Sequence, residues 1–251
     1  MSENSHSSFA RSFARLASLV AEPSWVVASF VAMSLAVISI IGSVTFLRDG
    51  SDSTVGQFGV GVSVYLLTLA LVTLPIFIKR TKRYVYSVLG VAGWPTLKSF
   101  WLPLGLWPLY MLLSVVVGIV ISTYVPMIDS NQAQDIGFKD INTILEYVLV
   151  FFALAVIPPI AEELLFRGYL FGRLREKFGF MLTTVVVSAV FGLVHGQWNV
   201  GIDVFILSLF LCYLREKTDS VWASIVLHSL KNTIAYLLLF IAPLLGFNLV
   251  Q

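Results

Sequence analysis

Long apolar runs separated by short polar segments govern what this 251-residue chain can fold into. The runs cover roughly residues 24–47, 57–78, 100–125, 143–177, 179–197, 201–214 and 220–246. Each of the first three supplies the roughly 20 residues that a helix needs to cross a bilayer. They are continuous rather than alternating, and hydrocarbon forces backbone polar groups to pair within their own segment, so helices are expected over strands. Charged residues make up 12% of the chain, where a soluble domain carries about 25%. With 58% hydrophobic residues and a mean hydropathy of +0.90, the expected fold is all-α. It is a polytopic transmembrane helix bundle of about 7–8 membrane helices. The single cysteine, Cys212, excludes an intramolecular disulfide framework. The first run, Ser24 to Leu47, exceeds the h-region of a signal peptide and reads as a retained span.

The chain divides into an N-terminal cytoplasmic or interfacial segment (1–23), N-terminal transmembrane helices (24–125), an outer loop (126–142) and a core carrying polar motifs (143–246). The net charge of +2 is uninformative about partners; the distribution of Lys and Arg is informative. With the N-terminus cytoplasmic, the inner segments hold Arg11, Arg15, Lys79, Arg80, Lys82, Arg83, Lys98, Arg173, Arg175, Lys177, Arg215 and Lys217. That is 12 of the 16 Lys and Arg residues. The outer loops hold Arg48 and Lys139, and Arg167 and Lys231 fall within helices. This asymmetry predicts a multi-pass protein with a cytoplasmic N-terminus. A prokaryotic cell membrane is the expected location. Residues 84–99 read as an interfacial helix or a re-entrant piece, with Tyr84, Tyr86, Trp94 and Trp101 in an interfacial belt.

Three polar constellations interrupt the second half. Glu162 and Glu163 stand ahead of Arg167, His195 ends Phe191-Gly-Leu-Val-His, and His228-Ser-Leu-Lys-Asn232 follows. An acid in hydrocarbon costs at least roughly 2.5–3.5 kcal/mol on insertion scales, so adjacent acids need partners or a task. Pro158-Pro159 cannot both occupy a regular helix interior and mark a kink or restart. About a hairpin at Phe178, Glu162 and His195 lie 16 and 17 positions away. Both are then roughly 24–26 Å from the turn, at similar depth. His228 reaches the same layer if the hairpin tip protrudes from the membrane. Glu163 and Arg167 are i, i+4 and can pair; Glu162, about 100° away, points elsewhere. His228 and Asn232 also share one face. An acid, a histidine and a His/Asn donor pair suit hydrolysis of an amide by an activated water.

In these residues the chain resembles the CAAX protease and bacteriocin-processing family of intramembrane endopeptidases, which includes the type II CAAX prenyl endopeptidases. The pattern E-E-x-x-x-R, F-x-x-x-H, H-x-x-x-N is met at Glu162 to Arg167, Phe191 to His195 and His228 to Asn232. The resemblance covers roughly residues 140–245. It implies Glu162 as general base, His195 as a holder of the water, and His228 with Asn232 as the oxyanion-stabilising pair. Glu163 and Arg167 become orienting and structural partners. It also implies a metal-free glutamate mechanism and no cofactor.

Each assignment has a plainer counterpart. Glu162 could be satisfied by neighbouring helices, His195 could be a packed hydrogen-bonded residue, and His228 with Asn232 could be interhelical polar contacts. Lys231 could snorkel or pair with an acid, and Asp203 could support His195 or line the outer loop. Zinc at Glu162, His195 and His228 is the minority alternative, since three ligands is a catalytic count; the chain lacks His-Glu-x-x-His. The expected partners are the lipid bilayer and a membrane-associated peptide or protein substrate, with no nucleic acid. A prenylated substrate is a family-level implication and is less expected in a prokaryote. Two rival functions stand beside the endopeptidase. One is a non-catalytic membrane immunity or peptide-binding protein of the same family. The other, a transporter, would call for broken helices in both halves, and only the second half has a break with buried charge.

Overall fold

The computed structural model describes residues 53–79, 81–125 and 141–247, with Met127, Gln132 and Phe138 from the loop between. The expected span 24–47, the segment 1–23 and most of the loop 126–142 lie outside the described residues. Among the described residues there are seven helices and no strands: α1 (Thr54–Lys79), α2 (Lys82–Leu89), α3 (Leu97–Tyr124), α4 (Ile144–Arg175), α5 (Phe180–Leu193), α6 (Trp198–Thr218) and α7 (Trp222–Leu244). Of these, α3, α4, α6 and α7 are long and apolar enough to cross a membrane; Thr54–Ala70 and Phe180–Leu193 are shorter apolar stretches. The all-helical membrane bundle expected from the apolar runs is the fold found.

Residues 84–99 resolve into the short α2 and a connection to α3. Thr81 caps α2 by accepting from the Tyr84 N–H, and Gly90 closes it at φ 68°, a left-handed conformation that favours glycine. The Tyr84 hydroxyl donates to Glu176 Oε1 at 2.6 Å and also meets Arg173, so this ring ties α2 to the end of α4. Trp94 and Trp101 are exposed, as a belt requires.

Helix α6 is the centre of the bundle. One apolar cluster joins its Val204 and Cys212 to α2, α4 and α5 through Val85, Leu89, Phe166, Phe171 and Phe191. A second joins its Leu207, Leu211 and Leu214 to Tyr110 of α3 and to Ala223 and Leu227 of α7. Where helices come closest, glycine makes the room. A Cβ on Gly192 would stand 2.7 Å from the Gly201 carbonyl oxygen, and one on Gly172 would stand 2.5 Å from that of Val88. Small residues are the usual route to tight helix contact in lipid, where apolar burial alone gives no preference. The basic ends of α4 and α6 meet α2 and the start of α3 at one end of the bundle. Arg175 pairs with Glu216 at 2.8 Å, Lys98 donates to the Lys217 carbonyl, and Arg215 reaches the Ser87 and Val88 carbonyls.

Helix α4 starts on a capping box between Thr143 and Glu146. It does not break at the prolines; it widens ahead of them. The Ile157 N–H reaches back five residues to the Phe152 carbonyl, a π turn over Phe152–Val156. Pro158 and Pro159 have no N–H to give the preceding carbonyls, and the wider turn keeps their rings from clashing with it. A second wide turn spans Leu164–Leu170 and contains Arg167. Such turns frequently mark functional sites.

Candidate active site

The two adjacent glutamates go separate ways. Glu163 and Arg167 are sealed, each 0% exposed, with Arg167 Nη1 donating to Glu163 Oε1 at 2.9 Å. The guanidinium lies over the Phe191 ring, 4.3 Å from its centroid. The same Glu163 oxygen faces His228 Nδ1 at 2.8 Å. A carboxylate paired with arginine only accepts, so Nδ1 carries the proton and Nε2 is turned to the other side of the ring. On that side stands Glu162, whose Oε2 is 3.8 Å from His228 Nε2. The chain Arg167–Glu163–His228 therefore fixes the imidazole in angle and tautomer, and Glu162 meets its far edge.

Glu162 lines a cavity of about 280 Å³ together with Tyr65, Pro158, His195, His228, Lys231 and Asn232. The three acid and imidazole side chains expected at one depth do share it. His195 falls in the turn that ends α5 rather than inside the helix, which stops at Leu193, short of the expected 197. Its Nδ1 lies 2.7 Å from the Phe191 carbonyl oxygen. That oxygen accepts only, so the Nδ1 proton goes to it and Nε2 is left with a lone pair. Phe191 stands between the elements, edge-on to both imidazoles at 4.9 Å (His195) and 5.8 Å (His228).

Asn232 has a second task. Its Nδ2 donates to the Leu154 carbonyl at 2.9 Å, one of the oxygens that the two prolines leave without a helical donor. One carboxamide proton thus locks α7 to the widened turn of α4, and the other remains. Tyr236 adds a parallel tie, its hydroxyl donating to the Tyr147 carbonyl at 3.0 Å.

Sequence reasoning missed Tyr65. From α1 its hydroxyl donates to Glu162 Oε1 at 2.9 Å, holding the carboxylate that His228 faces. Tyrosines in apolar runs are common, and no spacing rule links position 65 to position 162. Among the described residues Asp203 makes no hydrogen bond or ion pair with His195; it accepts from Tyr110 at 2.9 Å and from Ser114, and lies 3.5 Å from Lys231 Nζ. Among the described residues no three or more His, Cys, Asp or Glu side chains are grouped to hold a metal ion.

This polar network lies inside a bundle of apolar helices, four of them long and apolar enough to cross a membrane, as in a polytopic membrane protein. Residues 144–234 match the family model described as Type II CAAX prenyl endopeptidase Rce1-like, over the stretch that holds Glu162, His195 and His228. Two relatives are similar to parts of the chain. The chain is 29% identical over 167 residues to the UPF0177 protein YxdF of Lactococcus lactis subsp. lactis (strain IL1403), covering 65% of this chain and 89% of that protein. It is 30% identical over 79 residues to the "Putative membrane peptidase YdiL" of Bacillus subtilis (strain 168), covering 32% of each. The match thus spans about a third of YdiL's length. No solved structure matches the chain.

Proposed function

We propose that the protein is an intramembrane endopeptidase of the glutamate type, acting on membrane-associated peptides without a metal. The observation that carries this reading is the contrast within one pair: Glu163 is sealed against Arg167 and His228, while Glu162 stands in the cavity opposite both imidazoles.

In the proposed reaction a water lies between Glu162 and His195 Nε2. Glu162 removes one proton as the water oxygen forms a bond to the scissile carbonyl carbon. The carbonyl oxygen takes up the negative charge and is met by the remaining Asn232 N–H and by His228 Nε2, which donates only when the ring carries a second proton besides that on Nδ1. Collapse of the tetrahedral intermediate breaks the C–N bond, and Glu162 returns its proton to the leaving amine. Glu163 and Arg167 act through His228, and Tyr65 acts through Glu162. Both are positioning roles. The basic end of the bundle, with Arg175, Lys98 and Arg215, supports an orientation in which that end faces the cytoplasm of a prokaryotic cell membrane.

The test is digestion of candidate membrane peptides by purified protein, native and Glu162→Gln, with and without chelator. Cleavage that is lost in Glu162→Gln and indifferent to chelator is the expected result. Retained turnover in the variant contradicts the glutamate role, and chelator-sensitive turnover contradicts the metal-free mechanism. Peptide binding that survives Glu162→Gln, with no cleavage by the native protein, points to the immunity or peptide-binding alternative.

A further inference from the structure

We propose that Lys231 is a carboxylate-recognition group of this cavity, held in the absence of substrate by Asp203; the inference rests on the peptidase reading and gives it a substrate class, a peptide carrying a carboxylate near the cleaved bond. Lys231 lies between His228 and Asn232 on α7 and lines the cavity with them. Its only ion-pair partner among the described residues is Asp203, with Nζ 3.5 Å from Oδ2. That is longer than the roughly 2.7–2.9 Å of a charge-assisted hydrogen bond. An ammonium has three donors, so this contact leaves capacity for an incoming anion.

The bundle contains a second charged pair for comparison. Glu163 and Arg167 are 0% exposed and touch at 2.9 Å, as a structural pair should. Lys231 and Asp203 are 24% and 31% exposed, and Lys231 lines the cavity. Asp203 also does not depend on Lys231 for its hydrogen bonds. Its Oδ1 accepts from Tyr110 at 2.9 Å and from Ser114, both on α3. When the flexible lysine stem swings to a substrate carboxylate, Asp203 keeps two hydroxyl donors. The exchange swaps one anionic partner of the ammonium for another, while Asp203 keeps its hydroxyl donors. Glu162 would otherwise repel a peptide carboxylate drawn into the same cavity, and the ammonium offsets that repulsion.

The test measures binding to Glu162→Gln protein, which needs no turnover, of one labelled apolar peptide in three forms. These are a C-terminal acid, a C-terminal amide, and an amide with Asp beside the terminus. A charge-assisted contact predicts that, with Lys231 intact, this protein favours a carboxylate form over the plain amide by about ten- to a hundredfold. The acid and the Asp-amide tell a terminal from a side-chain carboxylate. Adding Lys231→Met removes the preference, Lys231→Arg restores most of it, and Asp203→Asn keeps or enlarges it because the competing anion is gone. Equal binding of acid, Asp-amide and amide overturns the proposal, as does a preference that survives Lys231→Met. A purely structural pair predicts that Lys231→Met and Asp203→Asn weaken all three peptides alike. If Lys231→Met fails to fold, the peptide comparison and Asp203→Asn still decide. Cleavage of the same peptides by native protein is scored separately. Cleavage without a binding preference sinks this inference and spares the peptidase, and a preference without cleavage does the reverse.

Discussion

Helices α3 and α6 run through the same bundle and are built on different terms. Helix α3 buries three of its 28 residues, Ser99, Pro103 and Tyr110, whereas α6 buries eight of 21. So α3 presents most of its surface outward and α6 is the internal post. The polar residues divide along the chain, between α1–α3 and α4–α7. The later helices hold the whole acid, imidazole and guanidinium network, and the earlier ones contribute isolated hydroxyls: Tyr65 to Glu162, Tyr110 and Ser114 to Asp203. The lesson is that an apolar scaffold needs few polar residues to tune a site. None of these three hydroxyls lies in the stretch 144–234 that matches the family model.

This contrast can be broken in several places. The largest effect is expected at Glu162: Glu162→Gln lowers cleavage by about 10²–10⁴-fold, the usual worth of a general base, with thermal unfolding in detergent unchanged. Next comes the sealed pair. Arg167→Met leaves Glu163 charged and buried, and a drop of about 3–5 kcal/mol in stability is expected, read as lost expression or early melting. A stable Arg167→Met protein would show that the pair is not the internal support described here. Tyr65→Phe removes one hydrogen bond to Glu162 and keeps the ring. Turnover should fall roughly tenfold, on the scale of about 1–1.5 kcal/mol, with melting unaltered. No change in turnover would confine the site to α4–α7. The smallest effect belongs to the outward face: Leu112, 62% exposed on α3, replaced by Ala should alter neither melting nor turnover beyond about 0.5 kcal/mol.

The helical architecture was legible because each run's length and continuity answer to the bilayer. The expected spans 57–78, 100–125, 143–177, 201–214 and 220–246 fall on α1, α3, α4, α6 and α7 within a few residues. The pairing of Glu163 with Arg167 was legible as well, since i, i+4 spacing on a helix fixes proximity. What the sequence did not disclose depends on three dimensions. At Pro158-Pro159 a kink or a restart was expected, and the form it takes, a π turn over Phe152–Val156 that absorbs the missing donors while α4 continues, was not legible. The bond from Asn232 to the Leu154 carbonyl spans 78 positions, and that from Tyr65 to Glu162 spans 97; no local pattern encodes either. His195 Nδ1 anchored on Phe191, by contrast, is an i−4 contact that its own motif spacing could have indicated.

The central claim is that one side of α4 opens to water at Glu162 while its core neighbours are dry. In a Cys212→Ala background, which removes the chain's single cysteine, single cysteines report this through a water-soluble thiol reagent in intact bilayers. Glu162→Cys and His195→Cys should be modified readily, and Val150→Cys, at a position 0% exposed on the same helix as Glu162, should be protected. Protection of Glu162→Cys to the level of Val150→Cys would contradict the account, because a carboxylate without water cannot activate one.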